Sequence, residues 1–228
     1  MSFPWRRAGL VLWMVALVWA ALLLGFAWRQ AEAPEPEVLT PQQVANGFAA
    51  STVAPVRLPP AGIPLDGAPA PAIRLRGVGG PGTLAAYRGR VTLVAFVDAF
   101  CTGSCYGTVP VIRGALEALG ARRSDVAVLA VNVAARASSA ALRRWWERAR
   151  FGAPGAVLSG TPGQIRAVLK AYGIVVASGR RGLTWTPALY VLDPKQRAER
   201  LFILAPNQEA MEVKAVGRAI NAALSRRA

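Results

Sequence analysis

Val91-Thr92-Leu93-Val94-Ala95-Phe96-Val97-Asp98-Ala99-Phe100-Cys101-Thr102-Gly103-Ser104-Cys105 is the stretch on which the fold turns. Its first seven residues are almost continuously apolar, the pattern of a parallel strand covered on both faces rather than the alternation of a half-exposed one. The two cysteines of the chain follow at once. Beyond them Ile112, Leu116 and Leu119 fall on one helical face, and Gly120 supplies a C-terminal stop. A strand that runs through a paired-cysteine loop into a helix aims backbone N–H groups at sulfur, which lowers a thiol pKa and favours the thiolate. This suits a thiol redox site or a soft-metal site. The chain contains no histidine, so catalytic triads, His zinc sites and Cys-His proteases are excluded.

Outward toward the N-terminus, Ala8 to Trp28 carries no charge and has the length, about 20 residues, that spans a bilayer as a helix. Arg6 and Arg7 precede it, so the positive-inside tendency puts the N-terminus in the cytoplasm and the rest of the chain outside. Residues 1–28 therefore read as a single-pass anchor in a bacterial inner membrane, with the remainder in the periplasm. A cleaved signal peptide, processed near Ala31-Glu32-Ala33, is the alternative, but an h-region needs only about 7–15 residues. Under either reading the cysteines meet an oxidising compartment. Residues 29–70 are dense in Ala, Pro and Glu and read as a semi-rigid linker. Residues 71–228 have the size of one domain.

The net charge of +15 comes almost wholly from arginine, with Lys170, Lys195 and Lys214 the only lysines. The arginines are spread along the chain, and an anchored extracytoplasmic domain does not meet nucleic acid, so no nucleic-acid partner is expected. Arginine-rich composition alone accounts for the charge; attraction to anionic lipid or an acidic partner is the functional alternative.

Within 71–228, strands and helices alternate. Ala72-Ile73-Arg74-Leu75 reads as an edge strand and Val126 to Val131 as a second buried strand. Leu142, Trp145, Trp146 and Ala149 mark a helix, in which one tryptophan is core and its neighbour partly exposed, or the two form a docking face. Thr161-Pro162-Gly163-Gln164 is a capping box with proline at the first helical position, and Gly173 ends that helix. Ala188–Leu192 and Leu201–Leu204 read as strands joined by a turn near Asp193-Pro194, and Val213, Val216, Ile220 and Leu224 stripe a last helix. Such alternation with a late hairpin implies an α/β sandwich built on a mixed sheet. Gly77-Val78-Gly79-Gly80-Pro81-Gly82 matches a dinucleotide-loop spacing, but Pro81 and the lack of a long helix after it make it a turn.

The order of these elements resembles the thioredoxin fold, and within it the Sco/SenC family of membrane-anchored copper and thiol proteins that serve cytochrome oxidase assembly. The resemblance covers about residues 71–228. It rests on the Cys101 to Cys105 spacing, on Leu158-Ser159-Gly160-Thr161-Pro162-Gly163-Gln164-Ile165 and on Tyr190-Val191-Leu192-Asp193-Pro194. It implies Cys101 and Cys105 as the reactive pair and, in the family, as copper ligands together with a histidine five residues before the position of Tyr190. Trp185 stands there in this chain. The prolines usual after each cysteine are replaced by Thr102 and Tyr106, and the acidic residue usual after the third strand is absent at Asn132-Val133.

Thr186-Pro187 stands where thioredoxin-like proteins place a cis-proline beside the cysteines, which makes Pro187 a candidate site residue with Cys101 and Cys105. Pro110 is either the kink proline of the active-site helix or a proline of its first turn, and Asp98 either a proton acceptor or a loop cap. The expected activity is thiol-disulfide exchange that needs no cofactor and keeps target cysteines reduced. For a resembling protein the partner is the copper-binding subunit of cytochrome c oxidase or another extracytoplasmic thiol protein. Cu(I) held by Cys101 and Cys105 is the first alternative. A static disulfide in an assembly or docking protein is the second.

Overall fold

The computed structural model describes residues 59, 61–100, 107–135, 137–179, 182–204 and 209–226. The predicted anchor, most of the predicted linker and the segment Cys101 to Tyr106 lie outside the described residues. No helix among the described residues is long and apolar enough to cross a membrane.

The described strands are β1 (Ile63–Pro69), β2 (Arg76–Val78), β3 (Val91–Val97), β4 (Val126–Asn132), β5 (Gly155–Ser159), β6 (Val176–Gly179), β7 (Gly182–Trp185), β8 (Ala188–Leu192) and β9 (Arg197–Ile203). The α-helices are α1 (Thr108–Glu117), α2 (Ser139–Ala149), α3 (Pro162–Ala171) and α4 (Glu209–Ser225). Seven strands form one mixed sheet in the order β1-β9-β8-β3-β4-β5-β2, and β6 with β7 forms a separate hairpin. The central trio β3, β4 and β5 is parallel, and β8 runs antiparallel to β3.

Both faces of the centre are covered. Every residue of β3 and β4 is buried. Because side chains alternate across a strand, Leu93, Ala95, Val128 and Ala130 point to one core with Ile112, Leu116, Leu142 and Ile220. Val94, Phe96, Leu129 and Val131 point to the other, with Ile165, Leu169 and Tyr172. Thus α1, α2 and α4 cover one face and α3 the other. Burying a side chain such as Leu129 contributes about 1.5–3 kcal/mol, which explains why these strands tolerate no interior alternation.

Local chemistry sets the ends of α3. The Thr161 hydroxyl accepts from the Gln164 N–H at 3.3 Å, and the Gln164 side-chain carbonyl accepts from the Thr161 N–H at 2.8 Å, with Pro162 at the first position. At the other end Gly173 adopts φ 65°. The Ile174 N–H donates to the Leu169 carbonyl at 2.8 Å and the Gly173 N–H to that of Lys170 at 3.2 Å. These two bonds close a Schellman motif.

Three elements differ from the sequence expectation. The edge strand is not Ala72–Leu75, which contributes only an isolated bridge between Arg74 and Thr83. Instead β1 pairs with β9, so the sheet begins at Ile63, within the stretch that reads as linker. Its Pro64, Asp66 and Pro69 conceal it: Asp66 and Gly67 have positive φ and break the register between Pro64 and Ala68. Strands β6 and β7 pair as a hairpin over Val176–Trp185, where no strand is expected above. Arg226, after α4, forms an ion pair with Glu199 of β9.

Three aromatic rings tie the second core to the edge of the sheet. Phe96, Tyr172 and Tyr190 have ring centroids 5.1–6.3 Å apart. The Tyr190 hydroxyl donates to the Tyr172 carbonyl at 2.6 Å and the Tyr172 hydroxyl to the Pro71 carbonyl at 2.8 Å. Burial raises the pKa of both phenols, and each lies near the other. A phenol raised on folding holds its proton more tightly folded than unfolded. Its contribution is therefore complete below the unfolded value of about 10 and declines as pH rises beyond it. Denaturant midpoints should accordingly fall steeply above about pH 10, and Tyr172→Phe should flatten that fall while lowering stability at pH 7 by about 1 kcal/mol. An equally steep alkaline loss in the variant would remove Tyr172 as its origin.

Candidate functional site

The segment that carries both cysteines joins the C-terminal end of β3 to the N-terminus of α1, and its two roots are described. At the first root Asp98 turns the chain: its carboxylate accepts from the Phe100 N–H at 2.9 Å. This is an Asx-turn, which answers the choice between proton acceptor and loop cap in favour of the cap. At the second root α1 starts at Thr108, three residues after Cys105 in sequence. Pro110 lies in the first turn, where its missing N–H forfeits no helical bond, so it is a first-turn proline and not a kink. Gly107, which precedes the helix, already has helical dihedrals and makes no side-chain cap bond, and the Glu209 carboxylate of α4 lies near it. Cys105 stands two residues before Gly107 in sequence.

Asn132, fully buried at the end of β4, holds the loop from the side. Its side-chain carbonyl accepts from the Ala99 N–H at 3.0 Å and its amide donates to the Ala134 carbonyl at 2.5 Å. An ionised carboxylate has no donor for that second bond. Asn132 is therefore a two-sided clamp between the exits of β3 and β4. Its sequence signal, one polar residue ending an apolar strand, is visible, but its partners are not.

Trp185, the last residue of β7, closes the other side. Successive carbonyls of a strand point to opposite edges. The Val97 carbonyl accepts from the Val133 N–H on the β4 side at 2.8 Å, so the Phe96 carbonyl faces β8. The pairing of β3 with β8 ends at Ala95 and Leu189, which leaves that carbonyl beyond the ladder. The Trp185 indole N–H donates to it at 2.9 Å, and the ring packs on the second core.

Pro187 follows two residues later and is half-buried. No cis peptide bond occurs among the described residues, so Thr186–Pro187 is trans, unlike the cis-proline that the resemblance implies. The local reason is a γ-turn centred on Pro187: the Ala188 N–H donates to the Thr186 carbonyl at 2.8 Å, and the central φ of such a turn matches that of proline. The Pro187 carbonyl is engaged by the Leu204 N–H at 2.8 Å, and the Thr186 N–H by the Val175 carbonyl at 3.1 Å. The structure thus brings Asp98, Asn132, Trp185 and Pro187 to one end of the sheet, the end from which the chain leaves toward Cys101 and Cys105. The large apolar residues exposed among those described, Phe100, Val175 and Met211, belong to segments at the same end.

A family model for SCO1/SenC matches residues 77–219. The chain belongs to the SCO1/SenC family. Solved structures share its thioredoxin-like fold. Apo Sco1 from Thermus thermophilus is 22% identical, covers 73% of this chain and 98% of its own, and superposes with a TM-score of 0.59. Copper-bound ScoI from Bradyrhizobium japonicum is 20% identical, with coverage of 65% and 98% and a TM-score of 0.55. BsSco, described with a disulfide switch and as a member of the Sco family of cytochrome c oxidase assembly proteins, is 14% identical, with coverage of 72% and 97% and a TM-score of 0.57. No curated protein matches the chain.

Copper held by two thiolates and an imidazole does not fit this SCO1/SenC chain. Indole nitrogen has no lone pair to give a metal, and that of Trp185 already donates to a carbonyl. Among the described residues no group of three or more His, Cys, Asp or Glu converges as a metal set.

Trp185→Phe, which keeps an aromatic ring but leaves the Phe96 carbonyl unpaired, should lower stability by about 1–2 kcal/mol in urea unfolding. Asn132→Asp, which loses a donor and buries a charge, should cost more, about 3 kcal/mol. Equal stability of Asn132→Asp and the parent would show that the clamp is not engaged.

Proposed function

We propose that this chain is a membrane-anchored, periplasmic thiol-disulfide oxidoreductase of the Sco type. It keeps cysteine pairs of a cytochrome c oxidase copper subunit, or of another extracytoplasmic thiol protein, reduced for metal loading. The observation that carries the reading is the Trp185 indole bonded to the Phe96 carbonyl at the place where the family resemblance calls for an imidazole ligand. The cysteine loop is retained, so sulfur chemistry keeps its parts while the third copper ligand is gone.

The step balances as two exchanges. The Cys101 thiolate attacks one sulfur of a substrate disulfide; a mixed disulfide forms and one substrate sulfur leaves as thiolate and takes a proton. The Cys105 thiolate then attacks the Cys101 sulfur and expels the second substrate thiol. Two electrons pass to the substrate, and the Cys101–Cys105 disulfide that results is reduced by an external dithiol protein. The dipole of the helix that follows the cysteines favours the thiolate of the one nearest to it, and Asn132 and Asp98 hold the root of the loop at Ala99 and Phe100.

Thiol trapping of the full-length chain in dithiol buffers should give one two-electron transition at a potential above about −300 mV, the range of exchangeable rather than structural disulfides. Cys105→Ser should accumulate the mixed disulfide with an oxidised Cys-x-x-x-Cys peptide, and Cys101→Ser should form none. A bond that mild reductant leaves intact would sink the redox reading and favour a static brace. Stoichiometric Cu(I) capture against a chelator, abolished by Cys105→Ala, together with no turnover of the peptide, would favour a Cu(I) chaperone.

A further inference from the structure

A second feature owes nothing to the cysteines. An open, solvent-facing cavity of about 590 Å3 is lined by half-buried Arg113 and by the exposed Arg144, Glu147, Arg148 and Arg150. Arg113 comes from α1, the next three from α2, and Arg150 is the left-handed C-cap of α2 with φ 49°. Four guanidiniums against one carboxylate leave the lining at +3 (4 − 1). Among the described residues the ion pair formed within 4.0 Å joins Arg226 to Glu199, so Glu147 holds none of the four in a close ion pair. The Nε of Arg113 is buried without a hydrogen-bond partner. Arginine cannot shed its proton to relieve that burial, so the Arg113 guanidinium keeps its charge beside the cavity.

We propose that this cavity is an oxyanion site that takes a phosphate group. A lone carboxylate is satisfied by one guanidinium through two parallel bonds, whereas several forks around one space match the three or four oxygens and higher charge of a phosphate. The site is open to solvent and wider than bare phosphate, so it has room for a phosphoryl group with a substituent: a phospholipid head group or a soluble phosphorylated compound. The near-absence of lysine from this cationic chain fits bidentate oxyanion recognition rather than diffuse charge.

The test is calorimetric titration of the full-length chain in zwitterionic detergent at matched ionic strength. The probes are pyrophosphate, glycerophosphoglycerol (the head group of phosphatidylglycerol) and a poly-glutamate peptide. Pyrophosphate or the head group should bind saturably. Arg144→Gln with Arg148→Gln, both at exposed positions, should weaken that binding by about tenfold or more without moving the melting temperature. Arg113→Lys, which keeps the charge and loses the fork, should weaken it severalfold. Head-group binding as tight as pyrophosphate binding assigns the source to lipid; binding of pyrophosphate alone assigns it to a soluble compound. Absence of saturable binding, or binding unchanged in the double variant, overturns the site. Tighter binding of poly-glutamate than of either phosphate also overturns it and points to an acidic protein surface instead.

Discussion

The end of β3 is the constraint on which the rest of the structure depends. A strand buried on both faces must satisfy every backbone carbonyl in a medium without water, and each one left bare costs about 1–3 kcal/mol. Inside the sheet β4 and β8 do this from either side. At the last two residues the neighbours diverge. The Val97 carbonyl is met by the backbone of Val133, and the Phe96 carbonyl by the indole of Trp185. The chain leaves for Cys101 from that closed end, so the segment that carries the cysteine pair starts where the last carbonyls of β3 are satisfied.

This arrangement explains why a tryptophan can stand where the family resemblance expects a histidine. The position serves two demands, a donor for the Phe96 carbonyl and a ring that packs on the second core. Indole meets both and offers no lone pair. The same position cannot also bind a metal, so specialising it for the sheet removes it from the donor set. The clamp of Asn132 follows the same logic: a side chain with a donor and an acceptor joins two strand exits, where a carboxylate would join one.

What was legible in the sequence was what local rules decide. The unbroken apolar runs of β3 and β4 declared buried parallel strands, and Thr161 to Gln164 with Gly173 declared both ends of α3, because capping bonds span only a few residues. The order of elements and the cysteine spacing were enough for the family resemblance. The hidden parts are non-local or irregular. The bond from Trp185 to Phe96 spans 89 residues and that from Asn132 to Ala99 spans 33, separations at which sequence carries no rule for pairing. In β1 the prolines and the Asp66-Gly67 break disguise a strand as a linker, because its regularity comes from β9 and not from its own composition. Pro187 shows the reverse case: an X–Pro step marks a special turn reliably, yet which isomer it holds is decided by the surrounding hydrogen bonds.

Charge divides the molecule along similar lines. The described end of the sheet near the cysteine loop carries Asp98, the clamp of Asn132, the apolar Phe100 and the exposed Met211 of α4, whereas four arginines converge between α1 and α2. Under the two proposals, the guanidiniums of the anion site gather between α1 and α2, where Arg113 of α1 lines the same cavity as Arg144 and Arg148 of α2, whereas the end of α1 that follows the cysteines offers its backbone dipole to sulfur.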